Sequence, residues 1–198
     1  MYTRNSIITD VEDIVEIHQN AFKNFFLTSL GKSFLNFYYS SFIKNKETVC
    51  IVEIENDSII GFSAACTKSK GFNTRLILSN ISNFTLWTFK MFFSNPKALI
   101  RLVKNLTKKR NDEVDKEEYG ELFSIAIKSN QQNKGIGKDL LKATEEQLKQ
   151  KGVKQLSLTT DFYNNESTLA FYKSMGYGIL YEFIAYPNRR MYRMIKKL

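Results

Sequence analysis

Only one histidine, two cysteines and two prolines occur among the 198 residues. A single histidine, His18, supplies no ligand cluster for a metal and little material for a Ser-His or Cys-His dyad. Cys50 and Cys66 both stand in apolar, strand-like runs, where a thiol behaves as a small hydrophobe, so buried free thiols are expected rather than a disulfide. No run reaches the roughly 18 apolar residues that a membrane span needs. The opening "MYTRNSIITDVEDI" carries acids where a signal peptide needs an apolar core, so a soluble, cytoplasmic chain is expected. Acidic residues are missing altogether from Ser58 to Asn111, while Lys68, Lys70, Arg75, Lys90, Lys97, Arg101, Lys104, Lys108, Lys109 and Arg110 fall inside that stretch. These basic residues account for the formal charge of +9, and "NDEVDKEEYGE" (Asn111 to Glu121) then places six acids against one lysine. Such a field draws anionic ligands to one side of a molecule, although a solvated helical face has the same composition.

What is present is enough apolar material for a core. Hydrophobic residues make up 43% and aromatic residues 14%, which excludes disorder and fits one domain over residues 1–198. "SIITD" reads as a short strand, with Thr9 or Asp10 able to cap a helix whose apolar stripe is Val11, Ile14, Val15, Ile17, His18 and Ala21. His18 reads as a satisfied member of that stripe. "FFLTSLGKSFLNFYYSSF" adds helix interrupted near Gly31, and "TVCIVEIENDSIIGFSAAC" is a hairpin turning at Asn56-Asp57. Residues 68–116 break this rhythm. Within them "SNPKALIRLVKNLTKKR" has Asn95 placed to cap and Pro96 at a first helical position, predicting a basic amphipathic helix.

"ELFSIAIK" then reads as a buried strand, "GIGKDLLKATEEQLKQKG" as a helix ended by Gly152, and "VKQLSLTTD" as a strand, together a parallel βαβ crossover. "NNESTLAFYKSMG" is a helix with Asn164 or Asn165 as cap, and "YGILYEFIAYPNRRMYRMI" a hairpin turning at Pro187-Asn188. The order defines an α/β domain (α+β in layout) with a mixed sheet in which only the central pair must be parallel.

Gly135 and Gly137 open a helix directly after a strand, where unpaired N–H groups can converge on an anion. A Walker A loop is excluded because Gly137-Lys138 is followed by Asp139, and a dinucleotide fingerprint lacks its third glycine near Leu140. Taken alone, the loop is either a phosphate cradle or a plain turn.

"SIAIKSNQQNKGIGKDLL" followed by "NNESTLAFYKSMGYG" resembles motifs A and B of the GNAT superfamily of acyl-CoA-dependent N-acetyltransferases. The match comprises Gln132-x-x-Gly135-x-Gly137 and, downstream, Asn165, Ala170, Phe171-Tyr172 and Gly176-Tyr177, and the wider likeness covers the chain except residues 68–116. It implies a mostly antiparallel sheet of six to seven strands flanked by helices, with a splayed central parallel pair and a helical insertion between strands 3 and 4. It further implies acetyl-CoA as acyl donor, with no metal. Backbone groups of Gln132, Asn133, Lys134, Gly135, Ile136, Gly137 and Lys138 would hold the pyrophosphate. Ile125, Ala126 and Ile127 would pair with the pantetheine arm, which Asn165 would also touch. Tyr172 stands where the family places a tyrosine beside the CoA sulfur, and would serve as general acid toward the departing thiolate. A core aromatic is the plain alternative. The oxyanion would lie on a strand N–H, that of Ile127 by analogy. Glu121 falls where the histone acetyltransferase branch carries its catalytic glutamate and is the candidate base, with Glu118, Tyr119 and Asp161 as alternatives.

The insertion would shape the acceptor side, and its basic face suits a small amine such as an amino sugar carried on a nucleotide or lipid. Three other readings stay open: a protein or peptide amine drawn by the acids of residues 112–121, a non-catalytic CoA-binding module, and specific nucleic-acid binding. The last is a distant third, and no specific nucleic-acid partner is expected, because the basic segment lacks regular aromatic interleaving. The insertion also suits a homodimer contact through Trp87, Met91 and Phe92, or a peripheral contact with an anionic membrane.

Overall fold

The computed structural model describes residues 1–80, 115, 116, 118–185 and 188–198. Seven strands form one sheet in the order β1-β2-β3-β4-β5-β7-β6, with β1 at Tyr2–Asn5, β2 at Thr48–Glu55, β3 at Ser58–Cys66, β4 at Gly120–Ile127, β5 at Gln155–Asp161, β6 at Gly178–Ala185 and β7 at Arg189–Lys197. Every neighbouring pair is antiparallel except β4 and β5. That exception follows from the crossover helix between them, since a helix returning over one face brings the chain back in the same direction.

Helices α1 (Val11–Ala21), α2 (Phe26–Ser29), α3 (Lys32–Lys44) and α4 (Phe72–Leu78) precede the crossover helix α5 (Ile136–Gln150), and α6 (Glu166–Ser174) follows β5. Two cores result, one on each face of the sheet. Ile14, Val15, Ile17, Leu35, Tyr39, Phe42 and Phe72 pack on Val52, Phe62, Ala64 and Ala126. On the opposite face Ile136, Leu140, Leu141, Leu148 and Tyr172 pack on Ile51, Leu122, Leu156, Leu158 and Met194.

Most of the local reading holds. Asn56 and Asp57 take φ values of 48° and 59°, the left-handed pair that a two-residue type I′ hairpin requires. Gly152 (φ 81°) ends α5, with the Val153 N–H returning to the Leu148 carbonyl at 3.0 Å. Cys50 and Cys66 are buried free thiols, each pushed up to about 12 by burial.

The N-terminus differs from expectation. The first strand is Tyr2–Asn5, and Ile8–Asp10 is a 3-10 turn. Asp10 stands at the start of α1 without capping it. Its carboxylate is occupied by the Arg4 guanidinium fork, at 2.6 and 2.9 Å, and by the Ile7 N–H at 2.8 Å. His18 belongs to the buried stripe and shares a hydrogen bond with the Tyr39 hydroxyl at 2.7 Å, yet its Nε2 has no hydrogen-bond partner among the described residues. The predicted amphipathic helix around Pro96, the residues Trp87, Met91 and Phe92, and the turn residue Pro187 lie outside the described residues. The described start of the insertion carries α4, whose Phe72 and Leu76 are buried in the core.

Candidate active site

The ladder between β4 and β5 is only three residues long. Gly120, Glu121 and Leu122 face Leu156, Ser157 and Leu158, and beyond that point the strands are not paired. β4 stays paired with β3 as far as Ile127–Gly61, but a bulge at Phe123 displaces the register between Ala64 and Ala65. Bulges bend and twist the strand that carries them, so β4 follows β3 and parts from β5. The paired end is held close at Gly120, where a Cβ would come within 2.8 Å of the Cys66 carbonyl oxygen.

The opened edge of β4 has free backbone groups. The Lys128 N–H donates to the Ile60 carbonyl on β3 at 2.8 Å. Alternation along a strand then turns the N–H and C=O of Ile127, and of Ile125 two residues earlier, toward the gap. Such an edge can accept an extended arm as if it were another strand. Of the three residues expected to pair with the pantetheine, Ile125 and Ile127 present backbone to the gap. Ala126 is turned to β3, opposite Phe62.

At the end of this edge the chain makes a 3-10 turn, Ser129–Gln131, and then the glycine loop. Asn133 (φ 63°) and Gly135 (φ 85°) both take left-handed conformations. The N–H groups of Lys138 and Asp139 fold back on the Gly135 carbonyl at 2.9 and 3.2 Å, while the first N–H groups of α5, at Ile136 and Gly137, have no partner within the helix. Left-handed steps between exposed residues, followed by a helix start, produce a concave set of N–H donors at the positive end of a dipole. Gln132, Asn133, Lys134, Gly135 and Lys138 are exposed there, while Ile136 is buried and anchors the loop. Lys134 Nζ is bonded to Gln131 Oε1 at 2.6 Å.

The two distant motifs meet at this loop. A Cβ on Gly137 would lie 3.4 Å from Ile127 Cδ1 and 3.7 Å from Phe171 Cζ, so strand edge, loop and α6 converge on one glycine. Asn165 precedes α6 without capping it, and its amide donates instead to Thr160 Oγ1 and the Asp161 carbonyl at the end of β5. Tyr172 is buried in the cluster containing Leu122, Ile136, Leu140 and Leu158, with Ile125, Ile127 and Phe171 packed at its margin. Its ring contacts those of Phe171 and Tyr177, and its hydroxyl has no hydrogen-bond partner among the described residues. Burial pushes the phenol well above its ordinary range, so it stays protonated.

Glu121 sits at the closed end of the gap, on the sheet face opposite α5. It is 5% exposed. Arg193 on β7 donates Nη1 to its Oε1 at 2.5 Å, and the Ser69 hydroxyl donates to its Oε2. Arg193 is fully buried, and although burial opposes its charge, Glu121 together with the Tyr119 and Tyr181 phenols more than offsets it, so its pKa is raised. The remaining base candidates are differently placed. Glu118 is exposed, the Tyr119 hydroxyl donates to Asp115 Oδ2 at 2.5 Å, and Asp161 is held by both arms of Arg189. Arg193, Ser69 and Tyr181 were not apparent as site residues in the sequence. Their positions depend on which strands become neighbours, and the nearest signal was an arginine alternating with apolar residues in "MYRMI".

The fold is an open-edged parallel pair that ends in a glycine loop at a helix start. The sequence model of the Acetyltransferase (GNAT) family matches residues 11–177, and the chain belongs to that family. Solved structures agree in fold. Ribosomal-protein-alanine N-acetyltransferase from Brucella melitensis superposes with a TM-score of 0.66 at 13% identity, covering 100% of both chains. The ribosomal-protein-S18-alanine N-acetyltransferase from Escherichia coli gives 0.62 at 15% identity, covering 99% of this chain and 92% of that one. The paiA N-acetyltransferase from Thermoplasma acidophilum, solved with coenzyme A, gives 0.58 at 16% identity, covering 100% and 98%. None of the curated sequences matches this chain significantly. The protein is thus an N-acetyltransferase that uses acetyl-CoA.

Proposed function

We propose that the protein transfers the acetyl group of acetyl-CoA directly to the primary amine of a small molecule, with amino sugars carried on a nucleotide or lipid as the leading candidates. The observation that carries this reading is the three-residue β4–β5 ladder, which leaves the β4 edge open between the glycine loop and Glu121. A thioester lying along that edge brings its carbonyl to the strand and its sulfur toward α6.

Attack by an amine requires loss of an ammonium proton, a donor for the oxyanion and a proton for the leaving thiolate. Glu121 takes the first part in this proposal. Each of its oxygens accepts one bond, from Arg193 or Ser69, and a carboxylate oxygen has a further lone pair for the amine. The Ile127 N–H, turned to the gap, is the proposed oxyanion donor. Tyr172 supplies the thiolate's proton: it is kept protonated by burial, and its hydroxyl has no hydrogen-bond partner among the described residues. Glu121 takes the ammonium proton before attack, the nitrogen–carbonyl bond forms, and the carbon–sulfur bond then breaks as Tyr172 gives its proton to the thiolate; the second proton, shed by the nitrogen as the amide forms, restores the phenol.

For the acceptor, the support is charge. Ten basic residues and no acid lie between Ser58 and Asn111, a composition that favours an anionic amine over a polycationic one. Thiol release from acetyl-CoA in the presence of amino sugars, nucleotide-linked amino sugars, aminoglycosides and peptides, with the mass of each product, tests the reading. Acetylation restricted to peptides would replace it with protein modification. Absence of transfer to every amine would favour a CoA-binding module without turnover.

A further inference from the structure

Arg193 is fully buried, and among the described residues only one of its nitrogens has a hydrogen-bond partner. Nη1 donates to Glu121 Oε1 at 2.5 Å and lies 3.4 Å from Ser157 Oγ, while Nε and Nη2 are buried with no hydrogen-bond partner among the described residues. Those two atoms carry the parallel N–H bonds along one edge of a guanidinium. That edge is the fork that grips a carboxylate or phosphate through two bonds at once. Buried charged donors left open are unfavourable, and folded proteins complete them with a ligand or a water.

The position of this fork relates it to the gap. Arg193 faces Thr159 on β5, one residue past the last β4–β5 pair, Leu122–Leu158, and its side chain passes Ser157 to reach Glu121 on β4. It therefore spans the closed end of the opening on the face away from α5. The rings of Tyr119 and Phe183 lie 5.7 and 5.9 Å from its Cζ. The Tyr119 and Tyr181 hydroxyls both donate to Asp115 Oδ2, at 2.5 and 2.6 Å, and the Tyr181 hydroxyl also lies against the guanidinium without a well-formed hydrogen bond to Nε or Nη2 among the described residues.

We propose that the Nε–Nη2 edge of Arg193 binds an anionic group of the acceptor, a carboxylate or a phosphate ester, while Nη1 holds Glu121 beside the acceptor amine. The assignment rests on the transfer reading above and narrows it. One guanidinium serves both groups, so the acceptor carries its anion only a few bonds from the amine that is acetylated. Amino-sugar phosphates and amino-uronic acids meet this requirement. Polyamines, aminoglycosides and peptide amines remote from any acid do not.

The test compares glucosamine with its phosphate ester and with its uronic acid as acceptors for the full-length protein and acetyl-CoA. At least one anionic form is expected to show a kcat/KM at least about tenfold higher than the neutral sugar, carried by KM, as a bidentate charged pair supplies. The phosphate and carboxylate arms separate the two sources of charge. Arg193→Lys keeps a cation for Glu121 and removes the fork, so the anionic-to-neutral ratio should fall toward one. Equal use of neutral and anionic sugars by the wild type, or an unchanged ratio in Arg193→Lys, overturns the proposal. A second measurement needs no turnover: inorganic phosphate and acetate are titrated by calorimetry into protein saturated with CoA. Saturable binding by the wild type that is lost in Arg193→Lys supports the site, and no binding means that water alone completes the fork. If these anions bind through Arg193 while no amine is acetylated, the transfer reading fails and the anion site stands.

Discussion

Asn165 donates its side-chain amide to Thr160 Oγ1 at 2.6 Å and to the Asp161 carbonyl at 2.9 Å, tying the start of α6 to the end of β5. The bonds fix α6 relative to a strand that has already parted from β4. Asn165→Ala removes both, and at about 1 kcal/mol per bond a stability loss of about 1–2 kcal/mol is expected in denaturant unfolding. Acetyl-CoA affinity should fall as well, because the far wall of the gap loses its anchor. Unchanged stability would mean that the two bonds are replaced by water without cost.

The two loop glycines should respond differently. Gly135 has φ 85°, so Gly135→Ala places a Cβ in a left-handed conformation that costs about 1–2 kcal/mol. It should distort the cradle and weaken CoA binding in calorimetry. Gly137 is helical, and an added Cβ would meet Ile127 and Phe171 at ordinary contact distances. Gly137→Ala should therefore fold with stability close to wild type, and any loss of CoA affinity reports a Cβ crowding the ligand.

Tyr172→Phe deletes only a hydroxyl that has no hydrogen-bond partner among the described residues, so stability should change little. If the phenol protonates the thiolate, single-turnover acetyl transfer should slow by about 10²-fold or more, with acetyl-CoA affinity nearly unchanged. An unaltered single-turnover rate would leave Tyr172 as a core aromatic.

His18 predicts a pH dependence of stability unrelated to catalysis. Burial lowers its pKa from 6.5 to about 4. The unfolded chain binds this proton over that interval and the folded chain does not, so stability is complete above about pH 6.5 and falls as pH drops toward 4. A shift of that size corresponds to about 3 kcal/mol. Denaturant unfolding across this range should show the decline, and His18→Gln should flatten that part of the curve.

Local physics made much of this legible in the sequence. The Asn56-Asp57 turn, the helix from Ile136 ended at Gly152, the crossover that makes β4 and β5 parallel and the glycine loop before that helix all depend on local runs of residues. The first strand was misplaced for a related reason. Asp10 has the chemistry of a helix cap, but its carboxylate is taken by Arg4 on β1 and by the Ile7 N–H instead. The sequence alone therefore determined the order of elements, the parallel pair, the buried thiols and the family. Tertiary structure decided where the parallel ladder stops, which follows from a bulge at Phe123 that no pattern of residue types announces. It also decided that Glu121, Ser69 and Arg193, on three separate segments, share one buried site. A charge on one strand finds its partner through the strand order of the whole sheet, and that order is a property of packing rather than of any local run of residues.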